Sequence, residues 1–273
     1  MSDQDELLEL AVEAARLGGR LLAERAAAGA ERSVASKSTP TDLVSEADLA
    51  SQRAIRALLA ARRPADGFLG EEEGQDEAGE SGVRWIVDPL DGTVNFLFGI
   101  PQWAVSVAAA DADGALAGAV YDPSRGELFT ATREGPARLE RAGERSELNG
   151  RSGDPNGAGA AGELQTAMVA TGFAYDSDVR ARQAGVLARL APQVRDIRRF
   201  GSAALDLAWT AAGRWDAYYE RTVKPWDIAA GELICSRAGL QVLELPEREG
   251  LPWGILAARP GLAQALLAIV DVE

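Results

Sequence analysis

The sequence contains no histidine and only one cysteine, Cys235, in 273 residues. The absence of histidine excludes Ser-His-Asp and Cys-His catalytic sites, HExxH zinc sites and any imidazole general base. A single cysteine excludes an internal disulfide and a CxxC zinc site, and we interpret Cys235 as a small buried side chain in a helix. Catalysis by this chain would therefore depend on carboxylates, hydroxyls, Lys and Arg side chains, and hard cations such as Mg²⁺ that prefer oxygen ligands.

Positive charge and long hydrophobic runs are also scarce. The chain has 42 Asp and Glu against 28 Lys and Arg, which gives a formal net charge of -14. Because this charge repels phosphate backbones and no basic stripe interrupts it, we expect no nucleic-acid partner. The acidic start MSDQDELLEL is unlike a signal peptide, and no apolar run reaches the roughly 18 residues of a membrane span. We therefore expect a cytoplasmic protein with no membrane partner.

The apolar pattern predicts an α/β chain of stacked helix and sheet layers. In the first half it predicts helices over 3–27 and from Leu43 to Pro64, and strands at 68–70, 85–87, 104–109, 117–121 and 128–131. Residues 141–163 are rich in Gly, Glu, Ser and Asn, and we interpret them as an exposed connection between two lobes, 1–145 and 160–273. In the second half, strands are predicted near 167–171, 196–200, 215–220, 241–244 and 254–258, and helices at 177–190, 202–212, 226–238 and from Pro260.

The stretch WIVDPLDGTVNF places two carboxylates, Asp88 and Asp91, at the end of a predicted buried strand. Pro89 fixes the backbone and Gly92 permits a sharp turn, so both side chains can converge on one point. Convergent carboxylates repel each other unless a cation lies between them. Gly92 and Thr93 are suited to begin a helix, whose free N–H groups would receive an anion. The alternative interpretation is a tight turn with a capping Asp.

Five blocks in sequence order resemble the inositol monophosphatase family of Mg²⁺-dependent, lithium-sensitive phosphatases. WIVDPLDGTVNF resembles the first signature of that family, and KPWDIAAGELICSRAG, residues 224–239, resembles the second. The blocks GEE at 70–72, KSTPTDLVSEAD at 37–48 and FGSAALDLAWTAAGRWDAYYE at 200–220 agree with the segments around them. The resemblance covers nearly the whole chain. It implies a layered αβαβα sandwich, a single catalytic domain with an N-terminal metal-binding lobe and a C-terminal substrate lobe, and a homodimer.

The resemblance also implies roles for individual residues. Two or three Mg²⁺ ions per site would be bound by Glu71, Asp88, the backbone carbonyl of Leu90, Asp91 and Asp227. The implied catalytic residues are Thr93, with Asp48 behind it, which would orient the attacking water, and Glu71. The implied substrate-binding residues are Gly92 and Thr93, whose N–H groups would hold phosphate, Gly201, Ser202, Ala203 and Glu220, which would contact substrate hydroxyls, and Lys37, a nearby cation.

Each of these residues also has a structural interpretation. Asp227 follows Trp226 and is placed to cap the next helix. Glu71 stands beside Glu72 in an acidic stretch that is typical of a solvated loop. Asp48 and Glu220 are, on their own, ordinary surface charges.

Three positions bear on how far the resemblance reaches. Arg237 and Leu240 depart from the family pattern, and we expect these two differences to affect helix packing more than catalysis. Lys224 stands near the expected rim of the site, where we hypothesise that it favours a substrate with extra negative charge.

The function that these patterns favour is hydrolysis of inositol 1-phosphate, or a similar polyol or sugar phosphate ester, by metal-activated water. Alternative substrates in the same fold are fructose 1,6-bisphosphate, histidinol phosphate and nucleotide 3′-phosphates such as adenosine 3′,5′-bisphosphate. An alternative of another class is a regulatory partner of the transcription machinery, as some bacterial relatives are described.

Overall fold

The computed structural model describes residues 3–28, 34–36, 43–72, 76–150 and 164–271, with side chains from all of these except 34–36 and 43–45. The helices are α1 Asp3–Ala28, α2 Glu46–Arg62, α3 Thr93–Leu97, α4 Ser177–Leu190, α5 Ala203–Ala211, α6 Pro225–Arg237 and α7 Pro260–Val270. The first strands are β1 Val34–Ser36, β2 Leu43–Ser45, β3 Gly67–Gly70, β4 Asp76–Glu77, β5 Arg84–Asp91, β6 Ala104–Asp111, β7 Gly114–Asp122 and β8 Glu127–Thr132. The others are β9 Arg138–Arg141, β10 Glu144–Glu147, β11 Met168–Thr171, β12 Asp196–Arg198, β13 Ala217–Arg221, β14 Gln241–Leu245 and β15 Gly254–Ala258.

Two large sheets organise the chain. One has eight strands in the order β10-β9-β8-β7-β6-β5-β3-β4, and the other has five strands in the order β12-β11-β13-β15-β14. In the eight-stranded sheet only β3 and β5 are parallel, because β4, antiparallel to β3, lies between them along the chain and the direction reverses twice. In the five-stranded sheet β13 is parallel to β11 and antiparallel to β15.

Three apolar clusters join these sheets to the helices in five layers. The first cluster packs α1 and α2 on the outer face of the eight-stranded sheet, with Leu7, Ile55 and Trp85 fully buried. The second holds α5 and α6 between the two sheets. The third packs α4 and α7 on the far face of the five-stranded sheet. Since each sheet is covered on both faces, the predicted αβαβα sandwich is confirmed.

Most predicted elements are present, but three local predictions are wrong. The second helix begins at Glu46 and not at Leu43, because residues 43–45 pair with 34–36 as a short hairpin. Residues 144–147, predicted as part of an exposed connection, form an exposed edge strand that pairs with β9. The segment 88–91 is not a turn after the strand: β5 runs through it as a bulge.

Two further expectations concern single side chains and the membrane. Cys235 is buried in α6, as predicted, and its thiol donates to the carbonyl of Leu207 at 3.2 Å. Arg237 is accommodated because its guanidinium donates to the carbonyl of Gly135 at 2.7 Å. Within the described residues, none of the helices has both the length and the apolar character that a bilayer span requires.

Candidate active site

The bulge in β5 positions two acidic side chains. Asp88 lies opposite Ser106 of β6 and Asp91 lies opposite Ala104, so β5 has one residue more than its neighbour over this interval. Pro89 has no N–H to donate to the ladder, which is why a bulge suits it in a central strand. The Leu90 N–H donates to Asp88 Oδ1 at 2.9 Å. Both carboxyl groups thus leave the strand on the same side of the sheet, and both residues line one cavity.

The start of α5 holds Asp91 in place. Its Oδ2 accepts from the Ser202 hydroxyl at 2.6 Å and from the Ala204 N–H at 2.7 Å, and its Oδ1 accepts from the Ala203 N–H at 3.3 Å. A helix N-terminus stabilises an adjacent carboxylate through these free N–H donors. These bonds join the eight-stranded sheet to the second half of the chain at the cavity itself.

Two more acidic residues reach the same cavity from other elements. Glu71 follows β3, and its N–H donates to the carbonyl of Val87 at 3.2 Å, which keeps it beside β5. Asp227 lies in the first turn of α6, where its Oδ2 accepts from the Lys224 N–H at 2.7 Å. Asp227 therefore caps its helix, as the structural interpretation requires, and also faces the cavity.

The four carboxyl groups are electrostatically frustrated without a cation. Burial raises the pKa of Asp88 well above its usual range, and the charges of Glu71, Asp91 and Asp227 raise it further. Burial, followed by the charges of Glu71 and Asp91, likewise raises the pKa of Asp227 well above its ordinary value. For Asp91 burial raises the pKa to about 6, against the lowering effect of the Ser202 hydrogen bond. A bound cation would remove this repulsion.

The donor set suits a hard divalent cation, because every group at this place is an oxygen. Among the described residues, however, no three acidic side chains stand ready in a coordination arrangement. Burial and the neighbouring acidic charges favour the protonated form of Asp88 instead. The residues therefore fit a metal by chemistry and position, and binding would require Asp88 to lose its proton.

Thr93 and Asp48 form a buried pair at the edge of the carboxylates. The Thr93 hydroxyl lies 2.9 Å from Asp48 Oδ1 and 3.1 Å from the carbonyl oxygen of Leu90. Asp48 projects from α2 and is fully buried.

Gly92 precedes Thr93 with φ of +97°, and a Cβ there would lie 2.9 Å from the carbonyl of Gln102. Only glycine satisfies both conditions, which explains its place before α3.

The cavity extends from the carboxylates toward the five-stranded sheet and has a volume of about 560 Å³. Gly92, Gly201, Ala203 and Glu220 line it. Ser202 does not: it is fully buried, and its hydroxyl is used by Asp91. Lys37 lies outside the described residues.

Glu220, near the end of β13, is a further acidic residue in the wall of this cavity. Burial raises the pKa of Glu220 to about 7, against the lowering effect of the Tyr218 hydroxyl. That hydroxyl donates to Glu220 Oε2 at 2.8 Å.

Sequence reasoning missed several residues of the cavity wall. They are Phe173, Ala174, Tyr175 and Asp176 after β11, Arg199 before α5, and Thr222 and Val223 after β13. Arg199 is exposed, and its charge acts on Glu220 and on the buried Asp206. No motif marks these positions, because the loops that carry them meet only when the second sheet forms.

Gly172 provides a steric test of this wall. A Cβ at Gly172 would lie 2.0 Å from the Glu220 carboxyl, so Gly172→Ala must displace that carboxyl. We expect the variant to raise KM for the substrate about tenfold with a smaller change in kcat. Gly185→Ala is the matched control, since a Cβ at that helical position meets nothing within 4 Å, and it should stabilise the fold by about 0.8 kcal/mol. Steady-state kinetics of both variants check this, and an unchanged KM in Gly172→Ala would place the substrate elsewhere.

Comparisons with known proteins agree over nearly the whole chain. The model of the inositol monophosphatase family matches residues 3–271. The chain is 44% identical over 250 residues to the inositol-1-monophosphatase of Mycobacterium leprae (strain TN), a match that covers 87% of this chain and 81% of that protein. It is 36% identical over 265 residues to Nus factor SuhB of Escherichia coli (strain K12), covering 96% and 94%. The crystal structure of extragenic suppressor protein suhB from Bartonella henselae has a TM-score of 0.85 at 34% identity, covering 97% of this chain and 98% of that chain.

The αβαβα sandwich, with an acidic cavity between its sheets, places the chain among proteins of the inositol monophosphatase fold. The chain belongs to the inositol monophosphatase family.

Proposed function

We propose that this protein is a Mg²⁺-dependent phosphomonoesterase that hydrolyses inositol 1-phosphate, or a similar polyol phosphate, to the free polyol and inorganic phosphate. The observation that carries the proposal is the convergence of Glu71, Asp88, Asp91 and Asp227 on one cavity beside the Thr93 and Asp48 pair. The relative named inositol-1-monophosphatase, at 44% identity, supports the choice of ester.

The metal-holding residues in this proposal are the four carboxylates together with the carbonyl oxygen of Leu90. Bound Mg²⁺ would supply Lewis-acid activation of water and neutralisation of phosphate charge. The chain fixes two of the carboxylates before any ion arrives: Asp91 through the start of α5 and Asp227 through the Lys224 N–H. Such preorganisation reduces the conformational cost of binding.

Thr93 and Asp48 would orient the attacking water and receive its proton. When Thr93 donates its hydroxyl hydrogen to Asp48 Oδ1, its own oxygen is left as an acceptor toward the cavity. A water molecule there would donate one hydrogen to Thr93 Oγ1 and turn a lone pair to phosphorus. As the water attacks, Thr93 Oγ1 would accept that proton and pass its own to Asp48 Oδ1, which is general-base catalysis without histidine.

The remaining residues of the cavity would bind the ester. The N–H groups of Gly92 and Thr93, two residues of the cavity wall, would donate to the phosphate oxygens, because backbone donors stabilise developing negative charge. Glu220, with its pKa raised to about 7 by burial, would hydrogen-bond the hydroxyls of the polyol, with the backbone of Gly201 and Ala203 beside it. The ester would lie between the two sheets.

The test is phosphate release from a panel of inositol 1-phosphate, fructose 1,6-bisphosphate, histidinol phosphate and adenosine 3′,5′-bisphosphate. Each ester is assayed with Mg²⁺ and with a chelator in its place. We expect the fastest Mg²⁺-dependent release from inositol 1-phosphate. Faster release from another ester would support the same Mg²⁺-dependent hydrolysis with that ester as the preferred substrate. No release from any ester would contradict the proposal.

Lys224 and Arg199 are the two cationic residues in the described wall of the cavity. Both are exposed, so we propose that they favour esters with a second anionic group at the rim. Lys224→Ala should lower kcat/KM for fructose 1,6-bisphosphate about fivefold relative to inositol 1-phosphate, the scale of one partly screened ion pair. Arg20→Ala, an exposed charge on α1, is the control, and an unchanged ranking in Lys224→Ala would remove this role.

We further propose that the protein works as a homodimer in the cytoplasm and is inhibited by lithium. The dimer has support from two neighbouring exposed apolar side chains after α3, Phe98 at 75% and Ile100 at 47% exposure. Exposed apolar pairs of this kind commonly mark protein contacts. Light scattering of the purified protein should give twice the mass of one chain, and Phe98→Ser should shift it toward a single chain. A monomeric wild type would exclude the dimer.

A second candidate function is a regulatory role with the transcription machinery. The relative named Nus factor SuhB, 36% identical over 94% of its length, favours it. With a net charge of -14, the chain would engage a protein partner more readily than RNA. Capture of RNA polymerase by Asp91→Asn protein as efficiently as by wild type would support this role, and the absence of capture by either would exclude it.

A further inference from the structure

Thr222 has an unusual backbone conformation in the wall of the cavity. In the described part of the chain only two residues other than glycine have positive φ: Ala142 at 52° and Thr222 at 75°. A left-handed conformation brings Cβ close to the backbone, and it is least favourable for a β-branched residue such as threonine. The strain at Thr222 therefore needs a compensating reason, because glycine would adopt the same conformation at little cost.

The surroundings of Thr222 hold it in that conformation. Its N–H donates to the carbonyl of Trp253 at 2.9 Å. The preceding residue, Arg221, is 3% exposed. The Arg221 guanidinium donates to the carbonyls of Pro246 at 2.8 Å and Pro252 at 2.9 Å, and to Asp271 Oδ1 at 3.0 Å. Because the chain is held at Arg221 and at the N–H of Thr222, the backbone cannot easily relax around an unsuitable side chain at position 222, and the strain persists.

The position of Thr222 connects this strain to the site. It stands two residues after Glu220 and five before Asp227, and it lines the same cavity as both. Its hydroxyl donates to the carbonyl of Arg221 within its own turn. Because that hydroxyl is already used, the side chain contributes bulk to the cavity wall more than a hydrogen bond.

We propose that Thr222 is a specificity-determining residue, whose side chain narrows the cavity that Glu220 and the carboxylates also line and excludes esters with a broad, flat leaving group. This inference rests on the proposed phosphomonoesterase activity. Compact polyol esters fit the narrowed cavity, while aryl phosphates need the space that the Thr222 side chain takes. Apolar contacts and steric exclusion of this size change relative kcat/KM values by about tenfold or more.

The experiment compares 1-naphthyl phosphate with inositol 1-phosphate in three variants. Thr222→Gly removes both strain and bulk, so we expect Tm to rise by about 2 to 4 °C and the kcat/KM ratio of naphthyl to inositol ester to rise about tenfold. Thr222→Asn keeps bulk and tolerates positive φ, so Tm should rise while the ratio stays low. Ala142→Gly, in the exposed β9–β10 turn, relieves similar strain away from the cavity and should leave the ratio unchanged.

Each departure from these results overturns the inference. An unchanged ratio in Thr222→Gly, with activity on inositol 1-phosphate retained, would show that the side chain does not control access, and the phosphatase activity itself would stand. A Tm that does not rise in either variant at position 222 would show that the residue is unstrained. A wild type without activity on any ester would contradict the phosphatase and this inference together.

Discussion

Asp91→Asn should lower kcat/KM for the preferred ester by at least about a thousandfold at saturating Mg²⁺, because it removes one negative charge from the proposed metal site. The variant removes the charge of the side chain and keeps its two shortest hydrogen bonds. An asparagine oxygen can still accept from the Ser202 hydroxyl and the Ala204 N–H, which bond Asp91 at 2.6 and 2.7 Å. Without Mg²⁺, Tm should stay level or rise, since burial of an uncompensated charge is costly.

The measurement is a pair of kinetic and thermal assays on Asp91→Asn and on Asp113→Asn. Asp113 lies in the exposed turn between β6 and β7, so the same chemical change there should leave both kcat/KM and Tm unchanged. A loss of less than about tenfold in Asp91→Asn would mean that this carboxylate does not hold a catalytic ion.

Thr93→Ala should reduce kcat by about a hundredfold or more and change KM little, because the hydroxyl acts on water and not on the ester. Thr93→Ser retains a hydroxyl at the same atom and should keep most of the activity. Asp48→Asn should reduce kcat as Thr93→Ala does, since the amide cannot receive the proton that leaves Thr93 Oγ1.

Combining the two substitutions tests whether Thr93 and Asp48 act as one unit. The double variant Thr93→Ala, Asp48→Asn should be about as slow as either single variant, because residues in a shared proton path are not additive. Multiplicative losses, or a Thr93→Ser protein as slow as Thr93→Ala, would separate the pair and contradict the proposed proton path. Single-turnover kinetics with saturating ester are the measurement.

The sequence predicted the layers of the fold because each buried face leaves a local periodicity. Helix 177–190 and strand 254–258 are found at their predicted bounds, since Asp176 caps the helix with two N–H bonds and the strand is an unbroken apolar run. The start of α2 was placed too early and the edge strand β10 was missed. Both errors occur where pairing with a neighbouring strand, 34–36 in one case and 138–141 in the other, decides the conformation more than local composition does.

The candidate site is also predictable only in part from local sequence. The sequence brings Asp88 and Asp91 together because they are neighbours along β5, and the bulge at Pro89 is a local effect. No local pattern shows that the start of α5 would hold Asp91, that Ser202 would turn away from the cavity, or that Thr222 would lie in its wall. These features arise from contacts between the two sheets, which join residues more than 100 positions apart, as in the bond between Ser202 and Asp91.

The proposed phosphatase chemistry depends most on the binding of a divalent cation by the four carboxylates together. Titration calorimetry of Mg²⁺ into the wild type, without ester, tests it directly, with Asp88→Asn and Asp227→Asn as variants and Asp113→Asn as the control. We predict saturable binding to the wild type and the control, with proton release from Asp88, whose pKa is raised by burial, and at least about tenfold weaker binding to each of the two variants. Equal affinity in all four proteins would contradict the account.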